Sequence, residues 1–590
     1  MQITYTNRQA EFQTAAATLL ARYDRLTWVR LITFVAGLAL IILLWSWIWW
    51  VGILATGLFL YGFYRFVLWH QTLKKEATHL ETLSKINQLE QQALTHDFTV
   101  FEDGAEFIDP LHSYVLDLDI FGPYSLFQYI NRTTTVLGKH RLANILKNSA
   151  SLPQIEARQT AITALAPLLD WRQHFQAYSQ RTKDEQSHID LLEKWLESPP
   201  LVLPNQLYKA SLVIAPILAA IALILAFISP WFIAILPLLF AAYILRQSGL
   251  AINDIHRQTT HAEAALAHYA DLMQHIEQQH FTTPLLQENA RVFQVGDAYN
   301  QVKRLSYLIS QLNVRYNPFA FILNITGLWD LQWVYRLEKW KVKNRELLPK
   351  WFEALANFEA LASLANLHYN QPEWIFPTFH EQPLLDAKNL GHPLISSDVR
   401  VPNDFSSPTQ GHIKLITGSN MAGKSTFLRT VGINIVLANI GAPVCATAMQ
   451  LPLLNVYTSM RTQDALHEST SSFYAELKRL KFIIEAVNRG EPIYFLLDEI
   501  LKGTNSRDRH TGSKALIRQL IAAAGGGIIA THDLELGILE AQYDGAVENL
   551  RIEVTIKDGQ LDFDYKLKKG VSESFNATIL MQQMGIEIEA

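Results

Sequence analysis

The chain has 590 residues, too many for one compact core, and at about 150 residues per domain it predicts three or four units. Its formal charge of −5 excludes a chain-wide basic footprint for nucleic acid, though not a local patch, and its single cysteine, Cys445, excludes an intrachain disulfide framework and a cysteine-based zinc cluster. Hydrophobic residues make up 49% and include 14 Trp, more than a soluble chain of this size needs, so particular segments must carry the excess.

Residues 1–26 read as an N-terminal helical segment and 27–70 as a first transmembrane hairpin. No Asp, Glu, Lys or Arg occurs between Leu31 and Tyr64. A bilayer core of about 30 Å needs roughly 20 helical residues per crossing, so this run is long enough for two crossings with a tight return. Trp45, Trp47, Trp49 and Trp50 fall at that return, where an aromatic belt sits. Residues 71–110 form a stalk or linker, its first part, Gln71 to Thr95, rich in Leu, Glu, Lys and Gln at helical spacing. Residues 111–206 are the first part of a helical core. Residues 207–247 are a second hairpin, uncharged from Ser211 to Leu245 and divided at Ser229 and Pro230.

Positive charge flanks each hairpin on both sides: Arg22, Arg25 and Arg30 before the first, Arg65, Lys74 and Lys75 after it, and Lys209 and Arg246 around the second. Both hairpins are therefore expected to start and end in the cytoplasm, with the soluble bodies and both termini there too. A pair of buried core helices is the alternative for each run. Residues 248–380 continue the helical core, with a polar helix from Ile252 to Gln279 and a long helical pattern from Arg336 to Tyr369. Phe319 to Trp329 is apolar but short, and Asn324 and Asp330 interrupt or end it, which predicts a packed helix rather than a fifth crossing.

From 381 to 590 the texture changes to short apolar β-type runs alternating with helical ones, the pattern of a parallel α/β sheet. Gly418 to Ser425 satisfies G-x-x-x-x-G-K-S between a strand and a helix, the context a P-loop requires. Gly418 and Gly423 let the backbone bend around phosphate oxygens, and the amides of Ser419, Asn420, Met421, Ala422 and Thr426 converge with them on the anion. Lys424 supplies charge to the terminal phosphates of ATP, and the Ser425 hydroxyl can ligate Mg2+. In EPIYFLLDEI an apolar strand ends in Asp498, placed to hold the magnesium, and Glu499, placed to orient and polarise the attacking water. In GGIIATHDLE, His532 follows a strand terminus and faces the γ-phosphate.

These residues resemble the MutS family of mismatch-repair ATPases, a branch of the ABC-type ATPases. TGSNMAGKST is similar to the family's TGPNMGGKST, departing at Ser419 and Ala422; LLDEILKGTNSRD is similar to its DEIGRGTST-x-D, with Leu501 in place of glycine and Lys502 in place of arginine. DALHESTSSFYAE resembles the segment ending in STF-x-x-E through Ser471, Phe473 and Glu476, with Ser472 for the threonine. GHPLI at Gly391 and VPND at Val401 resemble the entry to the ATPase domain. The segment from Leu116 resembles the start of the helical core, and that from Phe358 the lever helix. The resemblance covers about three quarters of the chain and implies an α plus α/β architecture: a helical core and lever carrying two transmembrane hairpins, then a C-terminal P-loop ABC-type ATPase domain.

The resemblance further implies a homodimer joined head to tail through the ATPase domains, in which Ser471 and Ser472 reach the partner's ATP, and Arg400 where an aromatic often stacks on adenine. It implies DNA as the partner of the helical core. The mismatch-reading N-terminal domain has no counterpart, so mismatch specificity is not expected. A membrane transport or remodelling ATPase with no DNA role is the rival reading, although six helices and an LSGGQ-like signature are absent; an inactive nucleotide-binding scaffold is the third.

Overall fold

The computed structural model describes residues 1–179, 186–419, 422–461, 472–557 and 560–572. Two 46-residue helices, Gln2–Trp47 and Trp49–Leu94, open the chain as an antiparallel pair that folds back at the extended residue Ile48. Each is about 70 Å long at 1.5 Å per residue. Trp45 closes the return: its indole N–H donates to Thr56 Oγ1 at 3.2 Å, and its ring covers Gly52, where a Cβ would come within 2.7 Å. The far end of the pair is packed instead of bare, with Tyr5, Leu83 and Ile86 buried. The limits expected at 26/27 and 70/71 fall inside these helices, where composition changes but the backbone does not.

The second pair begins at Gln206–Ile228, whose N-cap Asn205 accepts from the Leu207 and Tyr208 amides. It ends at Ser229 and Pro230 and returns as Trp231–Ile235 and Leu238–Thr259. The second break, at Pro237, was not expected; proline brings no N–H and its ring crowds the preceding turn. Among the described residues four helical stretches, starting at Gln2, Trp49, Gln206 and Trp231, are long and apolar enough to cross a membrane by length and composition.

Beyond Thr259 a short 3-10 turn, Thr260–Ala262, kinks the expected polar helix before Glu263–Glu277. The expected single helix over Arg336 to Tyr369 is two, Trp329–Asn344 and Leu348–Asn370. Pro349 is the reason: it cannot donate into the preceding turn but fits the first turn of the second helix. Leu348–Asn370 is the spine of the helical body, with Trp351, Leu355, Phe358, Leu361 and Leu364 all in the core.

The C-terminal region carries two sheets. Strands β1 (Thr378–Phe379), β2 (Leu384–Leu390), β3 (Asn403–Pro408) and β5 (Ala448–Leu451) form one, in order β1-β5-β2-β3. Strands β4 (Ile413–Thr417), β6 (Asn455–Ser459), β7 (Ile493–Asp498), β8 (Gly526–Thr531), β9 (Val547–Lys557) and β10 (Gln560–Lys569) form the other, in order β10-β9-β4-β8-β7-β6. All neighbours in the second sheet are parallel except β10, which pairs antiparallel on β9. β4, β7 and β8 are buried along their whole length, as the apolar runs that announce them require of central parallel strands.

Candidate functional site

Central strand β4 feeds the glycine loop, and the helix Lys424–Asn439 leaves it and runs buried against β7 and β8. Both glycines have a steric reason. A Cβ on Gly418 would lie 2.5 Å from the Ile552 carbonyl oxygen, and Gly423, the helix N-cap, has φ +98. Asn420 and Met421 lie outside the described residues. Strand order places β8 beside β4 and β7 beside β8, so the ends of three strands converge on the loop.

The convergence is tight. The Ser425 hydroxyl donates to Asp498 Oδ2, while Asp498 Oδ1 is buried with no hydrogen-bond partner. Burial holds the Asp498 carboxyl above the usual carboxylate range, despite the Ser425 bond. The Lys424 ammonium donates to the carbonyls of Gly418 at 2.8 Å and Ser419 at 2.9 Å, and burial lowers its pKa. His532 Nδ1 lies 3.1 Å from the Gly418 carbonyl oxygen and 3.3 Å from Lys424 Nζ, and its Nε2 meets Glu499 Oε1. The other oxygen of Glu499 pairs with Lys502 Nζ at 3.0 Å. These two contacts, His532 first, hold Glu499 down to about 2. Both Glu499 and Leu501 have left-handed backbones, φ +49 and +62. The turn after β7 is thus wound tightly enough to aim one acid at Ser425 and the next at His532.

Above the loop lies a cavity of about 500 Å³, lined by Gly423, Ser425, Thr426, Arg400, His392 and Tyr565 among others. Arg400 lines it as expected, but its guanidinium is tied down, Nε and Nη2 donating to the Ile395 carbonyl and Nη1 to Cys445 Sγ at 2.8 Å. Burial, and then Arg429 and Arg400, push His392 down to about 4, so the imidazole facing the cavity is neutral. Ser471 lies outside the described residues; Ser472 is the first residue of the helix Ser472–Asn488.

Three contributors escaped sequence reasoning. Lys502 registered only as a replacement, not as the cation on Glu499. Glu476, noted as a motif match, accepts from the Leu501 amide and so braces the turn after β7. Tyr565 comes from the β9–β10 hairpin, well over a hundred residues after the loop, and its ring stands over Gly423, 3.0 Å from where a Cβ would be. No short motif marks it.

Strand, glycine loop and helix, with an acid pair at the end of a nearby parallel strand, define a glycine-loop α/β domain. The MutS domain V family model matches residues 414–584 of this chain. Over 201 residues the chain is 33% identical to the DNA mismatch repair protein MutS of Aquifex pyrophilus, covering 33% of this chain and 23% of that protein. It is 32% identical over 236 residues to MutS of Thermotoga sp. strain RQ2, covering 39% and 29%, and 31% identical over 227 residues to the DNA mismatch repair protein MSH3 of Phaeosphaeria nodorum, covering 37% and 20%. The resemblance to MutS proteins thus rests on this C-terminal domain. The chain spans less than a third of the length of the curated relatives it matches.

Proposed function

We propose that the chain is a membrane-anchored MutS-like ATPase that binds ATP and Mg2+ in the cavity above the glycine loop and hydrolyses the nucleotide across a head-to-tail homodimer. The observation that carries this reading is the convergence of three strand ends, which sets Lys424 on His532 and His532 on Glu499, with Ser425 bonded to Asp498 beside them. Phosphate oxygens compete for the Lys424 ammonium now held by two loop carbonyls, and the loop amides and helix N-terminus complete an anion cradle. The residues fit magnesium, because Asp498 Oδ1 is a buried acceptor without a donor and the Ser425 oxygen lies beside it. When bound, the ion supplies charge neutralisation on the phosphates. Glu499, ionised and steered by His532 and Lys502, accepts the hydrogen bond of the attacking water, and His532 links that water's position to Lys424.

Ser471 and Ser472 of one chain reach the partner's nucleotide, and Arg400 with Tyr565 flanks the base. The four long apolar helices anchor the protein as two hairpins, with the soluble bodies and both termini in the cytoplasm, and ATP turnover is coupled to DNA bound by the helical core without mismatch reading. The test is ATP turnover by detergent-purified protein against a panel of DNA structures at two salt concentrations. DNA stimulation should weaken as salt rises. Glu499→Gln should retain nucleotide and lose about 10²–10⁴-fold in turnover, the usual contribution of a positioned base; turnover at the parental rate would sink the reading. The same four helices also support a transport or remodelling ATPase, which turnover stimulated by liposomes and indifferent to DNA would favour.

A further inference from the structure

The short apolar run that sequence reasoning assigns to a packed helix is only half packed. The helix Ala320–Gly327 lies against Gln206–Ile228 and Leu238–Thr259 and is anchored below by Trp329, whose indole donates to the Gln311 carbonyl at 2.9 Å. Its N-terminal end is bare: Phe319 is 70% exposed, Phe321 72% and Ile322 56%, with Tyr316 at 75% just before it. No Asp, Glu, Lys or Arg occurs from Tyr316 to Trp329. Four exposed apolar or aromatic side chains within seven residues, beside long apolar helices, are a local concentration and not the scattered exposure ordinary on soluble surfaces.

Length decides what can cover this face. Eight residues make a helix about 12 Å long, far short of the roughly 30 Å of a bilayer core, so it cannot cross. It can lie in the interface with its apolar face a few ångströms into the acyl boundary. Its neighbours fix the level. Arg315 Nη2 donates to Asn253 Oδ1 at 2.6 Å and His256 Nε2 meets Asn313 Oδ1 at 2.9 Å, so the segment enters beside the polar, charged end of Leu238–Thr259. The helix that follows packs on both members of the second pair, and Asp330 beyond it returns to within 3.5 Å of Arg315. Tyr316 sits at the polar side and the phenylalanines beyond it, the order of an amphipathic element entering a leaflet.

We infer that Phe319, Phe321 and Ile322 insert into the leaflet on the side of the soluble bodies, making Ala320–Gly327 a fifth, non-spanning lipid contact that fixes the depth of the second hairpin. The inference rests on the membrane reading of the two helical pairs. The experiment labels Phe321→Cys with bimane in the full chain reconstituted into phosphatidylcholine vesicles whose acyl chains are brominated either near the headgroup or near the methyl end. Cys445 is buried and stays unlabelled. Ile42→Cys, on a bare face of the first pair, and Glu485→Cys, exposed on the α/β domain, are the controls.

The expected result is loss of emission at 321 that is greater for the shallow bromine, loss at 42, and none at 485. Loss at 42 with none at 321 overturns the inference and leaves the membrane reading standing. No loss at 42 overturns both. Oxidative crosslinking of Phe321→Cys chains to one another without quenching would make this face a contact between copies and overturn the bilayer as its occupant.

Discussion

At the residue scale, the acid after β7 is governed by two side chains, an imidazole and an ammonium, that a linear motif does not display. Glu499 is held at about 2 by His532 and Lys502, so the carboxylate is ionised at any pH where the protein works. A depressed carboxylate contributes its stabilisation above its ordinary range and loses it only as pH falls toward the depressed value. Turnover above about pH 4 should therefore show no inflection from Glu499. Lys502→Met removes one of the two holds and moves the Glu499 pKa up toward the usual carboxylate range. The variant should acquire an acid limb in kcat that the parent lacks, read from a pH–rate profile. An unchanged profile would mean Lys502 does not govern this acid. Leu501 offers a second test. Its left-handed backbone costs about 1–2 kcal/mol, but its side chain is buried in the core cluster that includes Ile500 and Leu516, where truncation of a leucine costs about 2–5 kcal/mol. Packing should win. Leu501→Gly is expected to be net destabilising by about 1–3 kcal/mol in urea unfolding, even though glycine suits the backbone; a stabilised variant would show that strain outweighs burial here.

At the element scale, the long stalk is joined to the spine of the helical body by one buried ionic cluster. Glu90, near the end of Trp49–Leu94, pairs with Arg132 and accepts from the side-chain amides of Asn366 at 3.1 Å and Asn370 at 2.9 Å on Leu348–Asn370. Burial alone would raise the Glu90 pKa; the charge of Arg132 and these hydrogen bonds more than offset it, and the net direction is down. Its stabilisation is present above the ordinary carboxylate range and lost as pH falls below it. Arg132→Met strands a buried carboxylate and should cost about 3–5 kcal/mol, whereas replacing both partners with apolar residues should cost much less. Melting of the parent and the two variants at neutral and acidic pH separates the cases. If Arg132→Met melts like the parent, the pair is not what holds the stalk.

None of this joint was legible in the sequence. Its members come from three segments as far apart as residues 90, 132 and 366, and each alone reads as an ordinary polar residue. What was legible shared a short window: the glycine loop, Asp498 with Glu499, and the long uncharged runs. Even there, Pro237 and Pro349 break helices that hydropathy alone runs together. Tyr565 and His392 reach the cavity only because a distant hairpin and a loop fold over it.

At the scale of the whole molecule, one line of contacts runs from the apolar helices to the glycine loop. The stalk meets the spine at Glu90. The segment before the first core helices then meets the α/β domain at Asp117, whose carboxylate accepts from the Met460 and Arg461 amides at 3.1 and 3.0 Å and whose carbonyl accepts from Arg429 Nε at 3.0 Å on the loop helix. Leu118 packs on Gly432 of that same helix, where a Cβ would lie 2.8 Å away. A change at the loop therefore has a route of hydrogen bonds and packed side chains toward the helical pairs, provided those pairs are fixed in a bilayer with the α/β domain on the cytoplasmic side. Under the proposed topology, the basic flanks of both pairs would leave the returns at Trp47 and Trp231, exposed by 80% and 74%, on the opposite side. With Cys445 buried, Trp47→Cys and Trp231→Cys should react with an impermeant maleimide in intact cells, and Glu485→Cys only after permeabilisation. Labelling of all three in intact cells, or of none before permeabilisation, would break the topology. It would also remove the fixed point against which the loop, the core and the stalk are proposed to work.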